Sequence, residues 1–353
     1  MAVYRAPGRV NLIGGQVDYH EGWVVSMAID RDVTVRASAR DDGRVHATSH
    51  ELDGAVDIPA DGHDEPASVD PAWGRTVAGV ARVLAARGLL SSGATLEIAS
   101  DVPIGAGLSS SAAFEVACAF ALTDLEGARL EPRDLAFAAQ ESEHIATGVP
   151  CGIQDQMASV FARNGHALFL DCRTLAVEHV PLPATLAVVV VHSGVPRMLE
   201  ATPYAQRRAE SFEIAHQLGV QVLRDATLEQ VRDMPRGRHA VTEMLRVRQF
   251  AAALRAGDVD ALGPLMLASH ASSRDDMGVS IPELDTLVEC LVDAGARGAR
   301  LTGAGFGGCV VALADVTHAS EIADVASRAY AARTQRTPTA WVMHAADGVA
   351  RVE

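Results

Sequence analysis

Asp101-Val-Pro-Ile-Gly-Ala-Gly-Leu-Ser-Ser-Ser-Ala-Ala-Phe114 decides how the chain reads. Upstream, Ala94 to Ala99 carries the apolar pattern of a strand, and downstream the spacing predicts a helix from about Ser110 to Leu125. The string is therefore a strand exit, a glycine turn and a helix start. Its glycines let the backbone approach an anion and bend amides inward, while its serines fall at the N-cap and first turn. The unpaired amides and dipole of such a helix end favour phosphate, and a serine hydroxyl there can ligate Mg²⁺. An ordinary capped helix after a glycine turn has the same local signature, so this stretch alone leaves both open.

Composition narrows the chemistry by exclusion. Of 353 residues 48% are hydrophobic, and 30 basic against 45 acidic side chains give a net charge of −15. Every basic residue is arginine. The Walker loop GxxxxGK[ST], the protein-kinase strand lysine and Schiff-base chemistry all need a lysine, so none of them is present. An acidic excess of this size disfavours nucleic acid and anionic membrane surfaces, leaving small molecules as the expected partners. Positive charge for an anionic substrate must then be local. Five cysteines without CxxC spacing read as reduced thiols, and Met1 to Asn11 lacks the apolar run of a signal peptide. Leu186 to Val191, the longest aliphatic stretch, is far too short to span a bilayer and reads as a buried strand. The expected location is the cytoplasm.

Outward from the glycine turn, the first fifty residues alternate short apolar runs (Val10 to Ile13, Trp23 to Met27, Val33 to Ala37, Val45 to Thr48) with Gly and Asp turns, the rhythm of a mostly antiparallel sheet. Asp53 to Pro71 reads as a loop. Helices are predicted over Trp73–Arg87, Pro132–Ala146, Tyr204–Leu218, Thr242–Ala256, Pro282–Ala294 and Ala319–Arg333, with strands at Ala299–Leu301, Cys309–Leu313 and Ala340–His344. This irregular interleaving predicts an α+β fold. The break at Pro181 to Pro183 predicts two domains, 1–183 and 184–353, with the last strand free to return to the first. A cleft between them is the expected ligand site.

Three other segments bear on that cleft. In Arg5-Ala-Pro-Gly-Arg-Val-Asn-Leu-Ile-Gly-Gly-Gln-Val-Asp-Tyr19, Arg9, Asn11 and Asp18 interrupt an apolar strand and its turn. In Leu301-Thr-Gly-Ala-Gly-Phe-Gly-Gly-Cys309, four glycines in six positions permit positive φ and close approach, as they also would in a plain tight hairpin. Between them, a helix carrying Glu143 breaks at Gly148-Val-Pro150, and a new element opens at Gly152 with Asp155 in its first turn. That carboxylate suits a metal ligand or a proton acceptor, and equally ordinary N-terminal charge.

The strings APGRVNLIG, DVPIGAGLSSSA, GVPCGIQDQ, GHALFLDCR and TGAGFGGC, in this order, resemble the GHMP kinase superfamily and within it the galactokinases. The resemblance spans nearly the whole chain. It implies a two-domain fold with ATP in the cleft and transfer of the γ-phosphoryl group to a sugar hydroxyl, in galactokinases the one on C1. By position it implies that Pro103, Gly105, Ala106, Gly107, Leu108, Ser109, Ser110, Ser111 and Ala112 surround the phosphates, with Gly303, Gly305 and Gly307 in a loop near them. Ser111 and Glu143 match the Mg²⁺ ligands, Asp155 the catalytic aspartate, and Arg9 the arginine near the acceptor hydroxyl and the transferring phosphoryl. Asp18, Gly152 and Tyr204 match sugar-contacting positions. The expected assembly is a monomer or dimer.

One departure is informative. Galactokinases read GEHTDY where this chain reads Gly14-Gly-Gln-Val-Asp-Tyr19, so Gly15 and Gln16 replace the glutamate and histidine that contact the sugar near C6. Losing both partners opens volume and removes repulsion of an anionic substituent. The expected acceptor is a galactose-like aldose with an enlarged or acidic C6 end, such as a heptose, an octose or a hexuronic acid. Ordinary galactose and L-arabinose are the alternatives. A catalytically silent sugar sensor is a different class, and the full-length serine stretch, Arg9 and Asp155 argue against it.

Overall fold

Local sequence pattern accounts for most of the architecture. The computed structural model describes residues 1–196 and 203–353. The chain begins with β1 (Ala2–Ile13), β2 (Trp23–Ala39), β3 (Arg44–Ser49) and β4 (Ala55–Pro59). Then come α1 (Gly74–Ala86), β5 (Gly93–Ser100), α2 (Ser110–Leu125), α3 (Pro132–Thr147), α4 (Gln154–Phe161), and the hairpin β6 (His166–Asp171) and β7 (Ala176–Pro181). The remainder is β8 (Leu186–His192), α5 (Pro203–Gln217), α6 (Pro235–Ala256), α7 (Val259–Ser272), α8 (Pro282–Asp293), β9 (Gly298–Leu301), β10 (Cys309–Asp315), α9 (Ala319–Thr334), β11 (Thr339–Met343) and β12 (Ala350–Arg351).

Two sheets organise these elements. The first has eight strands in the order β12-β1-β2-β5-β3-β4, with β6 and β7 branching from β2. β2 is long enough to carry both branches on one edge: Val33–Ala39 pairs with β5, and Trp23–Ser26 pairs with β6. The two apolar runs expected as separate strands are thus one, because the Asp30–Asp32 stretch between them stays extended and Asp32 pairs with Arg5 at 3.1 Å. β1 runs antiparallel to β2, with register irregularities between Pro7 and Arg9 and between Asn11 and Ile13. Bulges re-aim side chains, and these flank the two polar residues that β1 delivers to the site. The second sheet is antiparallel in the order β11-β8-β10-β9.

The valine run of β8 is buried on both faces, which explains why it shows no alternation. Val188 and Val190 join a core that is continuous with the first sheet, α2 and α6. Val189 and Val191 face the other way, onto Leu287, Leu291, Ile322 and Tyr330 of α8 and α9. Full burial of each such side chain contributes about 1.5–3 kcal/mol. All five cysteines are free thiols, and among the described residues no helix is long and apolar enough to cross a membrane.

Three expectations need correction. The stretch Asp53 to Pro71 is not all loop, since Val56 and Ile58 are buried between exposed neighbours and β4 pairs with β3. That period is too short to stand out among Asp, Gly and Pro. α6 starts at Pro235 instead of Thr242, because Gly237, which masks the helical signal, sits against Val231 and Ile214 where a side chain would collide. α7 was not expected at all, for it contains Pro264 and a Gly263 whose missing side chain lets the helix lie directly on Arg297 and Gly298.

Candidate active site

A cleft of about 550 Å³ gathers most of the predicted residues. Arg9, Gly15, Gln16, Asp18, Gly105, Gly107, Ser109, Ser110, Ser111, Glu143, Gly152, Asp155, Tyr204, Gly303 and Gly305 line it. Pro103, Ala106, Leu108, Ala112 and Gly307 do not. Ala106, Leu108 and Ala112 are core residues, and Gly307 packs against the carbonyls of Val195 and Pro196. Of the string around Tyr204, residues 197–202 lie outside the described residues.

At the centre, Arg9 rises from the irregular part of β1 and is 5% exposed. Its Nε and Nη2 each donate to the Asp155 carboxylate at 2.8 Å, and its Nη1 donates to the Gly107 carbonyl at 2.8 Å. Asp155 stands in the first turn of α4 and also accepts from the Ser109 hydroxyl. This bears on how the glycine turn reads. Ser109 occupies the N-cap position of α2 with φ 59° and makes no capping bond, since its hydroxyl is turned to Asp155. The first-turn amides of α2 are left without a side-chain cap, and no acidic residue occupies that turn. The turn is therefore suited to an anion, and it is not the ordinary capped helix that the string also allowed.

Beside it, the Ser111 hydroxyl donates to Glu143 at 3.2 Å. The other oxygen of Glu143 accepts from Gln156 Nε2 at 2.7 Å and the Cys151 thiol at 3.1 Å. Gln156 also bridges to Glu115 at 3.3 Å. Glu115 escaped the sequence reading because it lies on a helix that is apolar all round. Burial, then repulsion from Glu143 and Asp155, pushes its carboxyl well above the usual carboxylate range.

One end of the cleft is built around Asp18. A Cβ on Gly152 would run into the Asp18 carboxylate, so the missing side chain there is a spatial requirement. Burial and repulsion from Asp155 raise Asp18 to about 6 against the counter-pull of Arg9. The folded chain thus holds this proton more tightly than the unfolded chain, and stability falls as pH rises from the ordinary value of 3.8 toward about 6, by roughly 2 kcal/mol. Asp18→Asn is expected to remove this loss, raising the thermal midpoint at neutral pH more than below about pH 5, while sugar affinity drops by at least about tenfold. Melting curves at both pH values with a calorimetric sugar titration check it, and an equal shift at both would refute it. Tyr204 faces Tyr19 edge-on at 6.3 Å. Gln16 lines the wall with its amide engaged at both ends, accepting from Tyr19 Oη at 3.0 Å and donating to the Ala304 carbonyl at 3.2 Å.

The opposite end is apolar. Leu52, Trp73, Ile98, Ile104 and Phe114 line it, with Trp73 and Phe114 edge-to-face at 6.3 Å. No sequence signal singled these out; Ile104, inside the glycine motif between the expected Pro103 and Gly105, is 60% exposed.

Comparison with known proteins places the chain in a family. Residues 75–163 match the family described as GHMP kinases N terminal domain, 250–332 match GHMP kinases C terminal, and 2–39 match the galactokinase galactose-binding signature. The chain is 44% identical to a galactokinase of Roseiflexus sp. (strain RS-1), over 99% of this chain and 93% of that protein. It is 41% identical to a galactokinase of Chloroflexus aurantiacus, with the same shares covered. Its structure is similar to that of Lactococcus lactis galactokinase complexed with galactose, with TM-score 0.94 and 32% identity over 99% of this chain and 95% of that one. The chain belongs to the galactokinase family of the GHMP kinases.

Proposed function

We propose that the protein transfers the γ-phosphoryl group of ATP to the anomeric C1 hydroxyl of a galactose-like aldose whose C6 end is enlarged or acidic. The observation that carries the transfer is the Arg9–Asp155 pair beside the uncapped start of α2. The apolar end suits the adenine, the turn Gly105 to Ala112 suits the phosphates, and Asp18, Gly152 and Tyr204 suit the sugar. Residues 1–183 and 184–353 are read as the two parts bordering the cleft.

Phosphoryl transfer asks mainly for alignment and charge neutralisation. Ser111 and Glu143 offer hard oxygen donors 3.2 Å apart, a set that fits Mg²⁺ with water and phosphate completing its shell. When bound there, Mg²⁺ neutralises phosphate charge. Arg9 has five N–H groups, of which three are committed to Asp155 and Gly107, so two remain for the transferring group. The C1 oxygen forms its bond to phosphorus as the bond from the γ-phosphorus to the bridging oxygen breaks. ADP leaves with that electron pair, and Asp155 orients the hydroxyl and receives its proton. Gly15 in place of a larger polar residue supports the altered C6 end.

A second reading is galactose itself, favoured by 44% identity to a galactokinase. An ADP-release panel with galactose, galacturonate, L-arabinose and a heptose, with and without Mg²⁺, tests both. Release with an aldose supports sugar kinase activity, and silence with every acceptor refutes it.

A further inference from the structure

Behind Gly15 stands a buried cation with one arm unused. Arg300, at the end of β9, has no solvent exposure. Its Nε donates to Ser269 Oγ at 3.0 Å, and its Nη1 donates to the carbonyl of Asn11 at 3.1 Å and to Asn11 Oδ1 at 2.7 Å. Its Nη2 has no hydrogen-bond partner among the described residues. The Glu243 carboxylate lies 4.0 Å away. That oxygen already accepts from the amides of Gly14 at 2.9 Å and Gly15 at 3.3 Å and from Ser269 Oγ at 2.6 Å. A charged donor left unpaired in the interior is costly, and such a group calls for an explanation.

Gly15 supplies the link to the cleft. A Cβ built on it would come within 2.6 Å of Arg300 Nη2, and it would meet only atoms of that arginine within 4 Å. Nη2 therefore fills the space where a side chain at 15 would begin, fully buried behind a cleft wall that Gly15 and Asn11 line. The charges do not cancel. Arg300 and the Arg246 that pairs with Glu243 at 2.7 Å face one carboxylate, an excess of one positive charge inside a protein of net charge −15. His239, which reaches the Gly15 carbonyl at 3.1 Å, is kept neutral by burial and offsets nothing. In a medium of low polarity such an excess is felt strongly by a nearby anion.

We infer that Arg300 selects the acceptor, its uncancelled positive charge behind Gly15 favouring a carboxylate carried by the sugar at the end facing Gly15, so that the acceptor class is a hexuronic acid. This rests on the sugar-kinase reading above and narrows it. Rates of ADP release with galacturonate and galactose, measured on the unmodified protein, Gly15→Glu and Gly15→Gln, test it. The unmodified protein should favour galacturonate in kcat/KM by roughly 10- to 100-fold, the worth of one unit charge felt across the Gly15 wall. Gly15→Glu brings a carboxylate of the chain itself to Nη2 and should erase that preference. Gly15→Gln, equal in size and uncharged, should erode it far less. Melting curves verify that each variant is folded, and Arg300→Met, if folded, should behave like Gly15→Glu. Turnover of galactose in preference to galacturonate overturns the inference and leaves the kinase reading standing. Equal ratios in the Glu and Gln variants overturn the role of Arg300, and no turnover with either sugar overturns both readings.

Discussion

Asp155→Asn is expected to lower kcat by about 10³-fold or more while ATP and sugar still bind within a few-fold of the unmodified protein. Asparagine keeps the shape of the side chain and loses two things. The proton acceptor is gone, and one oxygen that takes bonds from Arg9 Nη2 and Ser109 becomes an amide donor facing donors. The first loss acts on chemistry, and the second loosens Arg9, whose buried guanidinium is left with a single partner on that residue. The second also costs stability, about 1–3 kcal/mol. Steady-state ADP release and calorimetric titration of each ligand separate the contributions. Retention of kcat within tenfold would show that Asp155 is dispensable, and an unmodified protein with sugar binding but no turnover would be a sensor instead of an enzyme.

Arg9→Lys is expected to be comparably damaging, with kcat down by about 10³- to 10⁵-fold despite the conserved charge. The guanidinium spans Asp155 with a two-toothed contact, holds the Gly107 carbonyl, and still has N–H groups to offer. A single ammonium cannot grip a carboxylate in two places, tether the glycine turn and reach a phosphoryl oxygen together. The chain contains no lysine anywhere, so the arginines carry every permanent positive charge on its side chains. Measured kcat and KM for ATP in the lysine variant test this, and activity within tenfold of the unmodified protein would mean that a point charge suffices.

The legibility of these groups in the sequence follows their distance from one another along it. Ser109, Ser111, Glu143 and Asp155 sit in short strings whose local geometry, a glycine turn or a helix start, is encoded by neighbours. The valines of β8 announced a buried strand for the same reason. β4 and α7 did not announce themselves, because paired partners and a bare glycine contact stabilise them where local preference does not. The backing of the Gly14–Gly15 turn was invisible for a stronger reason. Glu243 lies 229 positions from the Gly14 amide it accepts, and Arg300 lies 289 from Asn11. No window of sequence contains both partners. Even the informative change at Gly15 could be read only as a vacancy, whereas the structure shows an arginine arm in that space.

The Glu243 carboxylate that holds the amides of Gly14 and Gly15 also touches Ser269 and Arg246. Residues of α6 and α7, with Arg300 of β9 behind them, thus fix the shape of one short turn. Changes at residues that share a partner do not combine additively. A substitution in the turn will therefore give different effects on different backgrounds of α6, α7 and β9, and its sign can reverse. The shape of this turn is an epistatic trait: a lineage, or an engineer, remodelling it has to alter the turn and its backing as a set.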